Sequence, residues 1–242
     1  MISKSELKLI KSLNQKKYRQ KELSFFVEGK KSIEEFLKSN FKLKKIFTVD
    51  DCFDTPKNLT QIITQEELKK ISSLVTPNQA LAIFEIPPQN TIIEKGIVLA
   101  LDDIRDPGNL GTIIRLCDWF GVTDIICSLN TVDCFNPKVV QASMGSLTRV
   151  HMHYMDLSEW LNTTQLPKIG TFLSGENIYQ AQLPKSGVII LGNEARGISE
   201  KIEGLIDHKV TIPQFGQQLN TESLNVATAT AIVLSEFVRR SK

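Results

Sequence analysis

The 242 residues contain no run approaching the ~18 apolar residues that a membrane span requires. The Lys-rich opening residues carry no apolar signal core, so export is not expected. The four cysteines, Cys52, Cys117, Cys127 and Cys134, show no Cys-x-x-Cys pairing. Cys117 and Cys127 have apolar neighbours and read as reduced, buried thiols of a cytoplasmic protein. Neither G-x-G-x-x-G nor G-x-x-x-x-G-K-[ST] occurs, which disfavours an ordinary dinucleotide fold and a phosphate-loop ATPase. No internal repeat or low-complexity tract is visible. No metal site is expected: His151 and His153 share a strand face without a third ligand. Asp102, Asp103 and Asp106 read as turn and cap residues rather than magnesium ligands.

What is present is a globular composition, 41% hydrophobic and 23% charged, with a net charge of only +2. That balance hides an asymmetry. Residues 1–50 hold 13 Lys/Arg against 6 Asp/Glu, a net of +7, and the remainder of the chain is net −5. A basic front on a near-neutral body points to a polyanionic partner, most simply nucleic acid. Lys16, Lys17, Arg19 and Lys21 surround Tyr18 there, the combination that neutralises phosphates and stacks a base.

Periodicity divides the chain in two. Up to Ile86 it predicts helices over 3–13, Lys30–Ser39 and Gln65–Ser72. Strands are expected at Phe25–Val27, Lys45–Val49, Gln61–Thr64 and Ala80–Ile86. This is a small α/β unit, residues 1–88. Pro87 and Pro88 open a stiff polar linker, 89–95, that cannot join a sheet. Residues 96–242 alternate apolar strands (Ile97–Leu101, Asp124–Cys127, Thr148–His151, Gly170–Leu173, Val188–Leu191, Lys209–Ile212) with helices. The helices are expected over Asn109–Phe120, Pro137–Met144, Leu157–Thr163, Ser199–Leu205 and Ser223–Arg239. The alternation predicts a mainly parallel sheet with helices on both faces. Ligands of such sheets sit at the carboxyl ends of the strands.

Three loops fall at such ends. The first, Leu101 to Arg115, makes an Asp-Pro-Gly turn with Asn109 as the expected helix cap. Gly111 leaves room at the first helical turn, and Arg115 lies among Ile113, Ile114 and Leu116, where a charge needs a partner. In the second, an apolar strand runs into Gly192-Asn193-Glu194-Ala195-Arg196-Gly197. Gly192 would let a flat ligand lie against backbone, and Glu194 and Arg196 would pair with each other or with a ligand. The third runs from Ile212 through Pro213 and Gly216 to Ser223, the expected cap of the last helix, then Leu224 and Asn225.

Together these loops resemble the motifs of the SpoU/TrmH family of RNA ribose 2′-O-methyltransferases, in the SPOUT superfamily. DPGNLGTIIR is similar to the first motif, LGNEARGIS to the second and IP…G…SLNVA…A to the third, in the same order. VVQASMGSLTRV resembles the family's serine–glycine stretch. YRQKELSFFVEGKKSIEEFL resembles the L30-like RNA-binding domain that often precedes the catalytic one. IPQ for the usual IPM, Ala227 for the usual Ser, and the longer QQLNTE segment (217–222) depart from the family pattern.

The resemblance implies a C-terminal trefoil knot, a homodimer, and S-adenosylmethionine held by Leu191, Gly192, Asn193, Ile212 and Leu224. It implies methyl transfer to a 2′-hydroxyl of rRNA or tRNA, with rRNA favoured. Arg115, Asn109, Glu194, Ser223 and Asn225 would form the catalytic set, and Lys16, Lys17, Tyr18, Arg19 and Lys21 would meet RNA. Arg115 acts either as a base or as a positioning and electrostatic group. The alternative is a non-catalytic RNA-binding or ribosome-assembly protein on the same fold.

Overall fold

Two capping boxes start helices in the N-terminal part. Ser3 accepts from the Glu6 amide while Glu6 reaches back, and Thr64 and Glu67 do the same, satisfying amides that a helix start leaves unpaired. The computed structural model describes residues 1–216 and 223–241. It begins with α1 (Lys4–Ser12), α2 (Lys16–Glu22), β1 (Ser24–Glu28), α3 (Lys30–Leu37), β2 (Leu43–Thr48), β3 (Thr60–Ile62), α4 (Gln65–Ile71) and β4 (Ala80–Glu85). The four strands form one sheet in the order β1-β4-β2-β3, antiparallel except for β2 with β3. Successive β1 residues point to opposite faces. Phe26 enters a core with Ile10, Leu13, Phe47, Leu68 and Leu81. Phe25 instead joins Phe36, Phe41, Phe84 and Phe135, its ring centroid 4.6 Å from that of Phe135.

The chain continues with β5 (Ile97–Asp102), α5 (Pro107–Phe120), β6 (Asp124–Ser128), α6 (Pro137–Ser143), a 3-10 turn at Ser146–Thr148, and β7 (His151–Met155). Then come α7 (Leu157–Thr163), β8 (Lys168–Asn177), β9 (Gly187–Gly192), α8 (Glu200–Glu203), β10 (His208–Thr211) and α9 (Val226–Ser241). Asp133–Thr148 does not stay with its sequence neighbours. It belongs to the compact unit of Met1–Pro88, so the first unit is not confined to the first 88 residues. There α6 packs on β1 and buries Val139 and Val140. The serine–glycine stretch of the sequence therefore forms the end of α6 and the turn after it. The strand expected from Thr148 begins only at His151, because Thr148 bonds back to Gly145 through both its amide and its hydroxyl.

The second unit, Gln89–Val132 with Arg149–Lys242, holds a six-stranded sheet in the order β10-β8-β9-β5-β6-β7. Every pair in it is parallel. Val98, Ala100, Val188 and Ile190 pack under Leu157, Trp160, Leu161 and Ile202 of α7 and α8. Their alternates Leu99, Leu101, Ile189 and Leu191 are buried on the other face, where α9 meets β9 and α5 meets α9. Burial on both faces is why these strands read as continuous apolar runs. The strand order reverses between β5 and β9, whose carboxyl ends lie side by side with Asp102 opposite Gly192. This is the switch point at which such sheets place their ligands. The 217–222 segment lies outside the described residues, and with it the chain path on which the knot depends.

Candidate functional site

Asp106, not Asn109, caps α5. Its Oδ1 accepts the Asn109 amide at 2.8 Å, and Pro107 occupies the first helical position, where its missing N–H costs nothing. The Asn109 side chain is thereby released. Asn225, not Ser223, caps α9: its Oδ1 accepts from the Ala227 and Thr228 amides at 2.9 and 3.3 Å. With that oxygen fixed by backbone donors, the Asn225 Nδ2 must point away, and it donates to Asn109 Oδ1 at 2.9 Å. The Asn109 Nδ2 then donates to the Glu194 carboxylate at 2.7 Å. A carboxylate only accepts, so the direction of the relay is fixed from both ends. Residues 116 and 85 positions apart in sequence are thus joined, and the three motif loops meet.

Ser223 is exposed, beside Leu224, which presents 48% of its surface. Arg115 projects from α5 into solvent, with no hydrogen bond or ion pair among the described residues. The partner expected from its apolar neighbours is not needed, because Ile113 and Ile114 turn inward while Arg115 turns out. Leu191 is buried at the end of β9, and Ile212 is half-buried just beyond β10.

The second loop folds on itself. Asn193 and Gly197 exchange backbone hydrogen bonds of 3.0 and 2.8 Å. A Cβ on Gly192 would lie 2.1 Å from the Gly197 carbonyl carbon. The space on the Cβ side of that glycine is therefore filled by the chain's own turn. The Asn193 Oδ1 accepts from the Ala195 and Arg196 amides, and its Nδ2 donates to the Asp103 carbonyl at 2.8 Å. Glu194 and Arg196 do not pair with each other: Glu194 holds Asn109, and Arg196 donates to Asp103 Oδ2 at 2.5 Å.

Asp102 and Asp103 carry more of the site than the sequence suggested. Asp102 Oδ2 accepts the Ser199 amide at 2.8 Å. Asp103 has φ +61°, a left-handed conformation that short polar residues tolerate. Its Oδ1 accepts from Arg105 Nε at 2.8 Å. That hydrogen bond, and the nearby charge, raise the Arg105 pKa above its ordinary value. An Asp-Asp pair at a strand end was the only signal available in the sequence.

Elsewhere in the second unit, His153 Nε2 lies 2.8 Å from the buried Asp124 Oδ1, and His151 Nδ1 lies 3.7 Å from the same oxygen. Among the described residues no group of three or more His, Cys, Asp or Glu is placed to hold a metal. Burial pushes the Cys117 thiol far up. No helix among the described residues is long and apolar enough to cross a membrane.

In the first unit, Lys16, Lys17 and Lys21 of α2 are exposed and Tyr18 is half-buried, with Lys17 Nζ 4.8 Å from its ring centroid. Arg19 departs from the expected cluster. It is 2% exposed, and its guanidinium donates to Asp133 Oδ2 through Nε (2.9 Å) and Nη2 (2.5 Å), and to the Leu13 carbonyl (2.7 Å). Residues two apart on a helix diverge by about 200°, so with Lys17 and Lys21 outward Arg19 must face the core.

Residues 96–235 match the SpoU rRNA methylase family, and residues 4–82 match an MRM3-like substrate binding domain. The chain is 30% identical over 234 residues to the 23S rRNA (guanosine(2553)-2′-O)-methyltransferase of Bacillus subtilis, covering 93% of this chain and 92% of that one. A TrmH-family RNA methyltransferase structure from Porphyromonas gingivalis superposes with a TM-score of 0.92 at 37% identity, over 100% of both chains. The AdoMet-bound rRNA methyltransferase of Sinorhizobium meliloti superposes at 0.87 with 29% identity, over 99% and 97%. The motifs that meet at the switch point and the match along nearly the whole length lead to one assignment: the chain belongs to the SpoU rRNA methylase family, RNA 2′-O-methyltransferases of the SPOUT class.

Proposed function

We propose that this protein methylates a ribose 2′-hydroxyl of ribosomal RNA, using S-adenosylmethionine. The observation that supports this most is the Asn225–Asn109–Glu194 relay, which ties the three motif loops together at the carboxyl ends of β5 and β9. The donor set suits the cofactor. Ile212 and the half-exposed Leu224 offer apolar area for an adenine ring above the buried end of Leu191, and the backbone of Gly192 offers edge hydrogen bonds beside the turn that Asn193 closes. S-adenosylmethionine, when bound, supplies an already activated methyl group, so the protein's main task is orientation.

Arg115 is a solvent-facing cation without a protein partner among the described residues. A guanidinium holds its proton too tightly to be a good base. It holds a substrate phosphate or stabilises negative charge developing on the 2′-oxygen. Asn109 and Asn225, each fixed by the relay, orient the ribose. Glu194 anchors Asn109, and Ser223 holds the third loop. The exposed Lys16, Lys17 and Lys21, with Tyr18, select RNA through residues 1–88. The family pattern further implies a knotted C-terminus, a homodimer and a cytoplasmic location.

The test incubates purified protein with labelled donor and protein-free ribosomal RNA, followed by digestion to nucleosides. A labelled 2′-O-methylnucleoside is expected. RNA binding without any methylation identifies a non-catalytic binder, and label on a base assigns a different acceptor.

A further inference from the structure

The Asp103 carboxylate is built into the site by three independent restraints. Its residue adopts φ +61°. Its amide donates to Ser128 Oγ at 2.8 Å, and its carbonyl accepts from Asn193 Nδ2 at 2.8 Å. Its side chain is only 14% exposed, whereas the two arginine side chains it holds are 63% and 66% exposed. Arg105 uses Nε on one carboxylate oxygen, and Arg196 uses Nη2 on the other.

Exposed ion pairs of this kind contribute little to stability, so stability gives a weak account of two arginines on one acid. Their geometry gives a better one. A guanidinium carries five N–H donors, and each of these spends one on Asp103. A single negative charge orients two positive ones, leaving a net positive pair with open donor forks. Arg105 precedes the Asp106 cap of α5, and Arg196 follows Glu194, so the pair stands on two of the three loops that the relay joins.

We propose that Arg105 and Arg196, aligned by Asp103, form a clamp for a phosphodiester of the RNA strand next to the target ribose. Asp103 is a positioning residue for that clamp. Bidentate guanidinium–phosphate hydrogen bonds suit this geometry. The inference rests on RNA being the substrate.

Its test uses the full chain and an in vitro transcript of 23S ribosomal RNA. Equilibrium binding is measured across a salt series, alongside methyl transfer kinetics and calorimetry with S-adenosylmethionine. In Arg105→Gln/Arg196→Gln the RNA KM should rise about tenfold, and the slope of log K against log salt should fall by about 1.4, for two single-strand contacts. kcat at saturating RNA and cofactor affinity should stay within about twofold of wild type. The Lys/Lys double variant should restore the slope but not the full KM, since it keeps the charge and loses the fork.

Asp103→Asn separates orientation from charge. It keeps a residue that tolerates the backbone and adds one net positive charge, which on electrostatics alone tightens RNA binding. The clamp requires RNA to bind more weakly. An unchanged slope in the Gln/Gln protein, tighter binding by Asp103→Asn, or a parallel loss of cofactor affinity overturns the clamp and leaves a loop brace. Wild-type methylation in the same assay keeps that outcome separate from failure of the enzymatic reading.

Discussion

Arg115 and Arg19 are both arginines in helices, and the structure gives them opposite fates. Arg115 has solvent on its outer side and no partner among the described residues, so removing its head group disturbs no packing. Arg115→Ala should lower methyl transfer at least about a hundredfold, the size seen when a charge-stabilising donor is lost. Calorimetric cofactor affinity and thermal midpoint should stay near wild type; near-normal turnover would take Arg115 out of the chemistry. Arg19 is locked to Asp133 and the Leu13 carbonyl. Arg19→Ala strands both partners, which for a buried pair costs about 3–5 kcal/mol. Asp133 keeps 15% exposure, so the lower end, about 3 kcal/mol, is expected in urea unfolding. The salt slope of RNA binding should not move, whereas Lys17→Gln/Lys21→Gln should reduce it. The sequence could not tell these arginines apart. Helix α2 is seven residues, polar nearly all round, and its inward face has no apolar stripe to reveal it.

Among elements, legibility followed the strength of the repeating pattern. The strands of the second unit were readable because burial on both faces makes them unbroken apolar runs. Helix starts were displaced by two or three residues wherever several cap-forming residues compete. Asp106 and Asn109 compete at α5, and Ser223 and Asn225 at α9; only packing chooses between them. In both cases the choice set which side chains enter the relay. Gly192 was legible as a required glycine but not for its reason, because the approaching backbone belongs to a turn that closes only in three dimensions.

Helix α9 is secured at its far end by Glu236, which accepts from Arg239 and Arg240, while Arg240 also donates to the carbonyls of Ile178, Ala181 and Tyr179. The Arg239 hydrogen bond, chiefly, holds the Glu236 carboxyl down to about 2 from 4.5. A carboxyl depressed on folding stabilises above its unfolded pKa, and that contribution is lost as pH falls through the folded one. Wild type should therefore melt higher than Glu236→Gln at pH 6. The gap should shrink between pH 4.5 and 2 and close below that; a gap independent of pH would mean that the carboxylate charge plays no part.

At the scale of the whole molecule, the sequence suggested two modules joined by one proline-stiffened linker. The chain instead crosses between its compact units at 88/89, 132/133 and 148/149. Asp133–Thr148 was illegible as part of the first unit because nothing in its own pattern names its partner: Phe135, Val139 and Val140 are apolar in any setting. Their partners come from the N-terminal residues, Phe25 and Phe41 around Phe135, β1 under α6, and Arg19 on Asp133. A chain shortened to 89–242 should therefore lose more than RNA recognition. Each uncovered large apolar side chain forfeits about 1.5–3 kcal/mol of burial, and the exposed cluster invites association. The shortened chain should unfold at lower urea, self-associate in sedimentation, and bind S-adenosylmethionine more weakly than the full chain. Replacing Phe135 and Val139 by Ser within it removes the exposed surface without touching the motif loops. Cofactor affinity should then recover while RNA binding stays lost. Full stability and full cofactor affinity in the unmodified 89–242 chain would show that residues 133–148 fold without residues 1–88, and that the single-linker picture was sufficient.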